Sequence, residues 1–171
     1  MLINLNNAIV TGSQRGFSVE GEKYYIYILR LSNDGWYVGS TKNIYNRMLT
    51  HFSIGGSIAT KEFKPVRIEK IFTMTDYMIG SNFAHRIAEV LIANKYAKSF
   101  GYDKIRGAKH GKSWNEYPNQ YSLKIIKRYQ GFARKDAGRV LRDSIAVFDH
   151  TDLSIEINSF LERKNDRDAN R

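Results

Sequence analysis

The sequence predicts an α/β fold of the α+β kind. It has a small mixed or antiparallel three-stranded sheet flanked by helices, then a C-terminal helical extension. Three observations carry this expectation. A run of β-formers from Tyr24 to Leu31 is followed by Asn33-Asp34-Gly35 and then by Trp36-Tyr37-Val38-Gly39. Asn, Asp and Gly tolerate positive φ, so this reads as two strands joined by a tight hairpin. The later segments carry their apolar residues at helical spacing. Finally, 171 residues that are 42% hydrophobic suffice for one ordinary core with an extension.

Each element follows in order. Residues 1–22 are polar and broken by Gly12, Gly16 and Gly21, which predicts a weak hairpin or arm. After the first hairpin, Ser40 or Thr41 is placed to cap a helix running through His51. Ile44, Met48 and Phe52 recur every four residues and make one stripe on it. Residues 54–58, with two glycines, read as a mobile loop. Pro65 opens a third strand, Val66 to Phe72. Ser81 or Asn82 is placed to cap a longer helix through Ser99, with Phe83, Ile87, Val90, Leu91 and Asn94 on one side and Gly101 ending it. Residues 103–120, with Gly107, Gly111 and Pro118, read as a loop. Three helical runs close the chain, near Tyr121–Gln130, Ala137–Phe148 and Leu153–Leu161, and the charged last ten residues are expected to fray.

Composition narrows the partner. The formal net charge is +10, and nearly all of the excess, net +8, lies between residues 61 and 130. Such a band favours a polyanion, because each Lys or Arg laid on a phosphate releases condensed counterions. The chain has no cysteine, which excludes disulfides and thiolate zinc sites and favours a cytoplasmic setting. It lacks both a run of eighteen apolar residues and a signal-peptide pattern, so neither secretion nor membrane insertion is expected.

The chemistry-bearing residues are few. Tyr27 and Tyr37 lie on paired strands, Arg47 and His51 share a helix face, and Glu89 stands among apolar neighbours on the long helix. Cutting a phosphodiester needs a group to take a proton from water, a fixed cation for the phosphate and a carboxylate for a metal. Taken singly, each residue reads more simply: strand aromatics, a surface arginine, an ordinary histidine. Their joint occurrence in order favours the chemical reading. His85 precedes Glu89 by one helical turn, a spacing suited to metal ligands, but reads better as a surface or supporting residue. His110 reads as a DNA-backbone contact or a solvated loop residue rather than a catalyst.

Tyr25-Ile26-Tyr27, nine residues, then Tyr37-Val38-Gly39, followed by Arg47, His51 and the helical Glu89, resembles the GIY-YIG nuclease family over roughly residues 23–100. The resemblance implies a DNA endonuclease using one Mg2+ or Mn2+, of restriction, mobile-element or phage type. A branched-DNA or repair nuclease, or a non-cleaving nucleic-acid-binding module of the same fold, is the alternative. It implies Tyr27 as general base or water-orienting group, Tyr37 in the same cluster, Arg47 on the scissile phosphate, His51 assisting Tyr27, and Glu89 as the sole protein metal ligand. It also implies that Gly39 permits the close backbone approach of the motif's turn.

Two departures stand out. Tyr25 replaces the family's first glycine, and the Asn often found after the metal-binding helix has no counterpart in residues 101–107. On this reading residues 1–22 are an arm or hairpin, 23–112 the nuclease domain and 113–171 the helical extension. DNA contacts are expected from Lys61, Lys104, Arg106, Lys109, Lys112, Lys124, Lys127 and Arg128. The C-terminal helices could supply a homodimer or higher homo-oligomer contact.

Overall fold

The computed structural model describes residues 23–76, 78–79, 81–116, 118–133 and 151–169. The expected arm at 1–22 and the helical run at 137–148 lie outside the described residues.

The first hairpin forms as its composition dictates. β1 (Lys23–Leu31) and β2 (Trp36–Thr41) pair antiparallel, with Tyr27 opposite Gly39 and Leu29 opposite Tyr37. Asp34 takes φ 62° in the turn, where its N–H donates to the Leu31 carbonyl. β3 (Pro65–Thr75) pairs antiparallel with the other edge of β1 and runs past the expected end at Phe72. A two-stranded ribbon, β4 (Met78–Ile79) and β5 (Asn82–Phe83), follows.

The sheet has a fourth strand where a loop was expected. β6 (Ile105–Gly107) lies parallel to β2, giving the order β3-β1-β2-β6. Three residues leave too short a pattern for sequence periodicity to register. The sheet is therefore mixed, as expected, but larger by one strand.

The helix starts also differ. Ser40 and Thr41 are still in β2, paired with Ile26 and Tyr25, so Asn43 caps α1 (Ile44–Ser53) by accepting from the Asn46 N–H. The expected mobile loop at 54–58 instead leads into a short helix, α2 (Ile58–Glu62), through a capping box. Ser57 Oγ accepts the Thr60 N–H, and Thr60 Oγ1 accepts the Ser57 N–H. α3 (Ala84–Phe100) starts after Ser81 and Asn82, which fall in the turn and the second strand of the ribbon. Its cap comes from outside the helix, because Asp76 Oδ1 accepts the His85 N–H at 2.9 Å. α3 is buried nearly all round, including Ala84, Ile87, Ala88, Val90 and Ala93, while Phe83 stays exposed. α4 (Gln120–Ala133) and α5 (Thr151–Ala169) complete the described residues, and α5 stays helical well into the stretch expected to fray.

Strand alternation sorts two cores onto the two faces of the sheet. Ile26, Ile28 and Val38 face α3 and α4, where Ile87, Ile126 and Tyr129 join them. Tyr27, Leu29 and Leu31 face α1 and α5, where Met48, Ile157 and Leu161 join them. Each fully buried Ile or Leu contributes about 1.5–3 kcal/mol. α5 also covers the edge of β3: Asn158 accepts the Ile68 N–H and donates to the Ile68 carbonyl, completing the ladder with a side chain. Among the described residues, no helix is long and apolar enough to cross a membrane.

Candidate active site

On the α1 face, β1 and β2 bring two phenols to one helix. Tyr27 and Tyr37 stand diagonally across the ladder with ring centroids 6.3 Å apart. His51 lies 5.4 and 5.2 Å from them, centroid to centroid. Gly39 sits mid-strand opposite Tyr27 rather than in a turn, and its function is room: a Cβ there would stand 2.5 Å from the Tyr27 hydroxyl. Gly56 plays the same part for His51, whose ring would meet an added Cβ at 2.8 Å.

The polar atoms form a chain. Arg47 Nε donates to the Tyr27 oxygen at 2.9 Å, and that oxygen lies 2.9 Å from His51 Nε2. His51 Nδ1 lies 3.0 Å from Thr60 Oγ1. Thr60 Oγ1 has its own acceptor in the Ser57 carbonyl at 3.2 Å. One assignment places every proton. Thr60 donates to that carbonyl, His51 Nδ1–H donates to Thr60, and the Tyr27 hydroxyl donates to His51 Nε2. In that assignment the capping box of α2 favours the Nδ1–H tautomer of the histidine.

Burial and charge hold this chain in one protonation state. Burial, reinforced by neighbouring Tyr37, pushes the Tyr27 phenol well above its usual range, and Arg47 only partly offsets this. Burial, and then the Arg47 charge, pushes His51 down to about 3. Burial also raises Tyr37, against hydrogen bonds from Ser57 and Arg47. At neutral pH the cluster is two neutral phenols and a neutral imidazole around a guanidinium.

Glu89 stands on α3, which packs on the opposite face of the sheet. Ser40, which was expected to cap a helix, instead donates to Glu89 Oε2 at 2.6 Å. Burial raises the Glu89 carboxyl, while Ser40 and then Arg86, Lys109 and Arg47 pull it down. Its charge in turn raises both phenols. Tyr27, Tyr37, Arg47 and His51 thus form one contacting cluster, and Glu89 acts on it through its charge. Sequence reading missed Ser40, Ser57, Thr60 and Arg86 in these roles. The Ser57-x-x-Thr60 spacing was a usable signal for the capping box.

The expected DNA contacts divide. Lys109, Lys112, Lys124 and Arg128 line a groove of about 950 Å³ that also includes Glu89 and Arg86. Lys61 is exposed on α2, its stem lying against Gly55. Lys104 and Lys127 do not line the groove. Arg106 corrects the expectation of a DNA-facing loop. It is 1% exposed, lies over the Trp114 ring, and donates to the carbonyls of Ile105, Ser113 and Trp114 at 2.7–2.8 Å. That position makes it a staple for the β6–α4 segment. His110, expected at the surface, is fully buried with Nδ1 against the Ala108 carbonyl. His85 stacks on Tyr24 at 3.9 Å and pairs through Nδ1 with Asp76 at 2.8 Å. Among the described residues no three His, Cys, Asp or Glu side chains form a metal cluster.

Comparison with known proteins points the same way. A family model described as the GIY-YIG catalytic domain matches residues 23–103. The chain is 31% identical over 72 residues to the UPF0213 protein FN1575 of Fusobacterium nucleatum, an alignment covering 42% of this chain and 72% of that protein. No solved structure gives a significant match.

Proposed function

The chain belongs to the GIY-YIG nuclease family, and from that premise we propose that it is a divalent-metal-dependent DNA endonuclease that hydrolyses phosphodiester bonds. The single observation that carries this reading is the Tyr27 oxygen held between the Arg47 Nε–H and His51 Nε2, each at 2.9 Å.

The donor set suits a hard divalent cation. Glu89 offers one carboxylate, its Oε2 already held by Ser40. Mg2+ and Mn2+ are commonly held by one or two carboxylates, with water and phosphate oxygens filling the remaining positions. When bound at Glu89, such an ion neutralises charge on the phosphate and acidifies a bound water.

The side chains supply the rest. Arg47 presents a planar fork of donors, and while Nε holds Tyr27 its other N–H groups suit the oxygens of the scissile phosphate. Charge developing there in the transition state is then stabilised by a cation already in place. Tyr27 is a neutral phenol at working pH, so it acts as a relay. It takes a proton from the attacking water as it passes its own to His51 Nε2. Phosphate paired with Arg47 also masks one of the two influences that depress His51, so substrate binding raises the basicity of the acceptor. The Thr60 hydroxyl keeps the receiving nitrogen turned toward Tyr27.

The test is digestion of supercoiled, linear, single-stranded and branched DNA with Mg2+ or Mn2+, by the natural chain and by Glu89→Gln. Cleavage by the first alone is expected. A folded natural chain that cuts none of the four substrates defeats the reading.

A further inference from the structure

We infer that the groove between α3 and α4 holds an unpaired DNA strand that continues from the cleavage point, so that the favoured substrate carries a single-stranded arm. This rests on the nuclease reading above and names its substrate class.

Two concavities share one wall. The larger, of about 950 Å³, includes Glu89. The smaller, of about 190 Å³, includes Tyr37, Ser57 and Ile58. Gly107, Gly111 and Lys112 line both. A strand lying through the two would pass between Tyr37 and Glu89, the two sides of the catalytic cluster.

The shared wall is a hook held in an uncommon shape. The His110 N–H donates to the Gly107 carbonyl at 2.7 Å, closing a turn whose central residues, Ala108 and Lys109, have φ of 47° and 72°. Non-glycine residues seldom adopt that region without a structural reason. Gly107 lets the hook lie against β2, because a Cβ there would meet the Val38 carbonyl. The buried Arg106 guanidinium and the buried His110 anchor the hook from below. It carries Lys109 onto the groove wall that Glu89 shares.

Charge and shape select the occupant. Among the described residues, Arg86, Lys109, Lys112, Lys124 and Arg128 line the larger groove against Glu89 and Glu116, which suits a polyanion. Its volume is at the top of the roughly 300–1,000 Å³ range of small-ligand sites, enough for a few nucleotides of one strand. A groove of about 950 Å³, closed on one side by α3, on another by α4 and on a third by the hook, is too small to take in a double helix. Tyr129 Oη donates to Asn82 Oδ1 at 3.0 Å, which ties α4 to the strand preceding α3 and sets the groove's width. Tyr121, 68% exposed on the first turn of α4, offers a ring for a base to stack on.

The experiment measures binding by fluorescence polarisation with EDTA present, using the full chain and duplexes of one sequence with and without an unpaired arm. The armed duplex is expected to bind at least ten-fold tighter. Lys124→Ala/Arg128→Ala, both on exposed positions, should remove that advantage and flatten the salt slope by about 1.4, since each lost single-strand contact is worth roughly 0.7. Tyr121→Ala should weaken the armed duplex about ten-fold, the loss expected of one stacked base. The blunt duplex should respond to neither change. Equal affinity for the two duplexes, equal losses on both, or equally strong competition by polyglutamate would overturn the inference. Cleavage with Mg2+ separates the two ideas. Armed-strand binding without any cutting leaves the groove and removes the nuclease. Blunt duplex cut as fast as armed duplex does the reverse.

Discussion

Gly39 lies directly opposite Tyr27 across the β1–β2 ladder, and the space a Cβ would fill there is occupied by the phenol. The missing side chain lets the Tyr27 hydroxyl reach both Arg47 and His51. Gly39→Ala is expected to displace the ring, because the added carbon would stand 2.5 Å from the oxygen and 2.7 Å from Cζ. Overpacking of this kind costs about 1–3 kcal/mol. Tyr27→Phe would not relieve it, since Cζ remains. Urea denaturation of both single variants and the double variant tests this; full stability in Gly39→Ala would contradict it.

Arg47 and Glu89 hold the charge of the site, and their substitutions separate mechanism from fold. Arg47→Lys keeps a cation but loses the Nε–H that meets Tyr27, together with the planar fork. Glu89→Gln keeps the shape and removes the charge. Each is expected to lower kcat by about 10²–10³, the scale of losing one preorganised electrostatic contact. Thermal unfolding of Glu89→Gln should not fall, because burial already disfavours the ionised carboxyl. Either variant cutting at the natural rate would remove its residue from the mechanism.

Thr60 acts only through His51. Thr60→Val deletes the oxygen that accepts from His51 Nδ1 and half of the α2 capping box. A stability loss of about 0.5–2 kcal/mol is expected from the cap. In addition kcat should fall more than KM rises, because the imidazole is freed to turn. Thr60→Ser should restore kcat. Equal recovery of kcat by an unrelated stabilising change would show that Thr60 contributes to the fold alone.

Much of this site was legible in the sequence, and the failures have physical reasons. The hairpin, the α1 stripe and the shared face of Arg47 and His51 follow from turn chemistry and helical spacing, which are local, whereas Glu89 was joined to them only through the family resemblance. Ser40 was misread because a serine near a helix start normally caps it. Here the strand runs on to Thr41, and alternation turns the Ser40 hydroxyl to Glu89, forty-nine residues away. Arg106 was misread because a basic residue beside glycine reads as surface. Its burial depends on the carbonyls of Ser113 and Trp114, which only the folded loop brings around it. Asp76 capping α3 across nine residues left no local pattern at all.

Arg106 therefore carries a prediction opposite to that of a DNA contact. Arg106→Ala leaves the Ile105, Ser113 and Trp114 carbonyls, buried or partly buried, without their donor and opens a cavity beneath Trp114. Each carbonyl left without its donor is expected to cost about 1–3 kcal/mol, so the variant should be clearly destabilised. Under conditions where the variant is folded, the salt dependence of DNA binding should keep its slope. A reduced slope with undiminished thermal stability would return Arg106 to the DNA-binding surface.

The buried His51 imidazole sets the pH dependence. In the folded chain it takes up a proton only at about pH 3, against about 6.5 for the unfolded chain. Between those values the unfolded chain takes up a proton that the folded chain refuses. Stability is therefore complete above about pH 6.5 and falls as the pH drops toward 3. Every ten-fold difference in proton affinity between the two states is worth about 1.4 kcal/mol, so the loss for this one residue reaches roughly 3–5 kcal/mol by pH 3. Glu89 works in the other direction. Its raised carboxyl stays protonated in the folded chain at pH values where the unfolded chain has lost the proton, which favours folding on the acid side of that window. Urea titrations from pH 7.5 to 4 in Glu89→Gln remove the opposing carboxyl and leave His51 together with His110, whose imidazole burial also holds below its usual range. A slope that persists there and is clearly reduced in Glu89→Gln/His51→Gln is expected. The same slope in both variants would show that His51 is not the buried neutral base on which the proton relay depends.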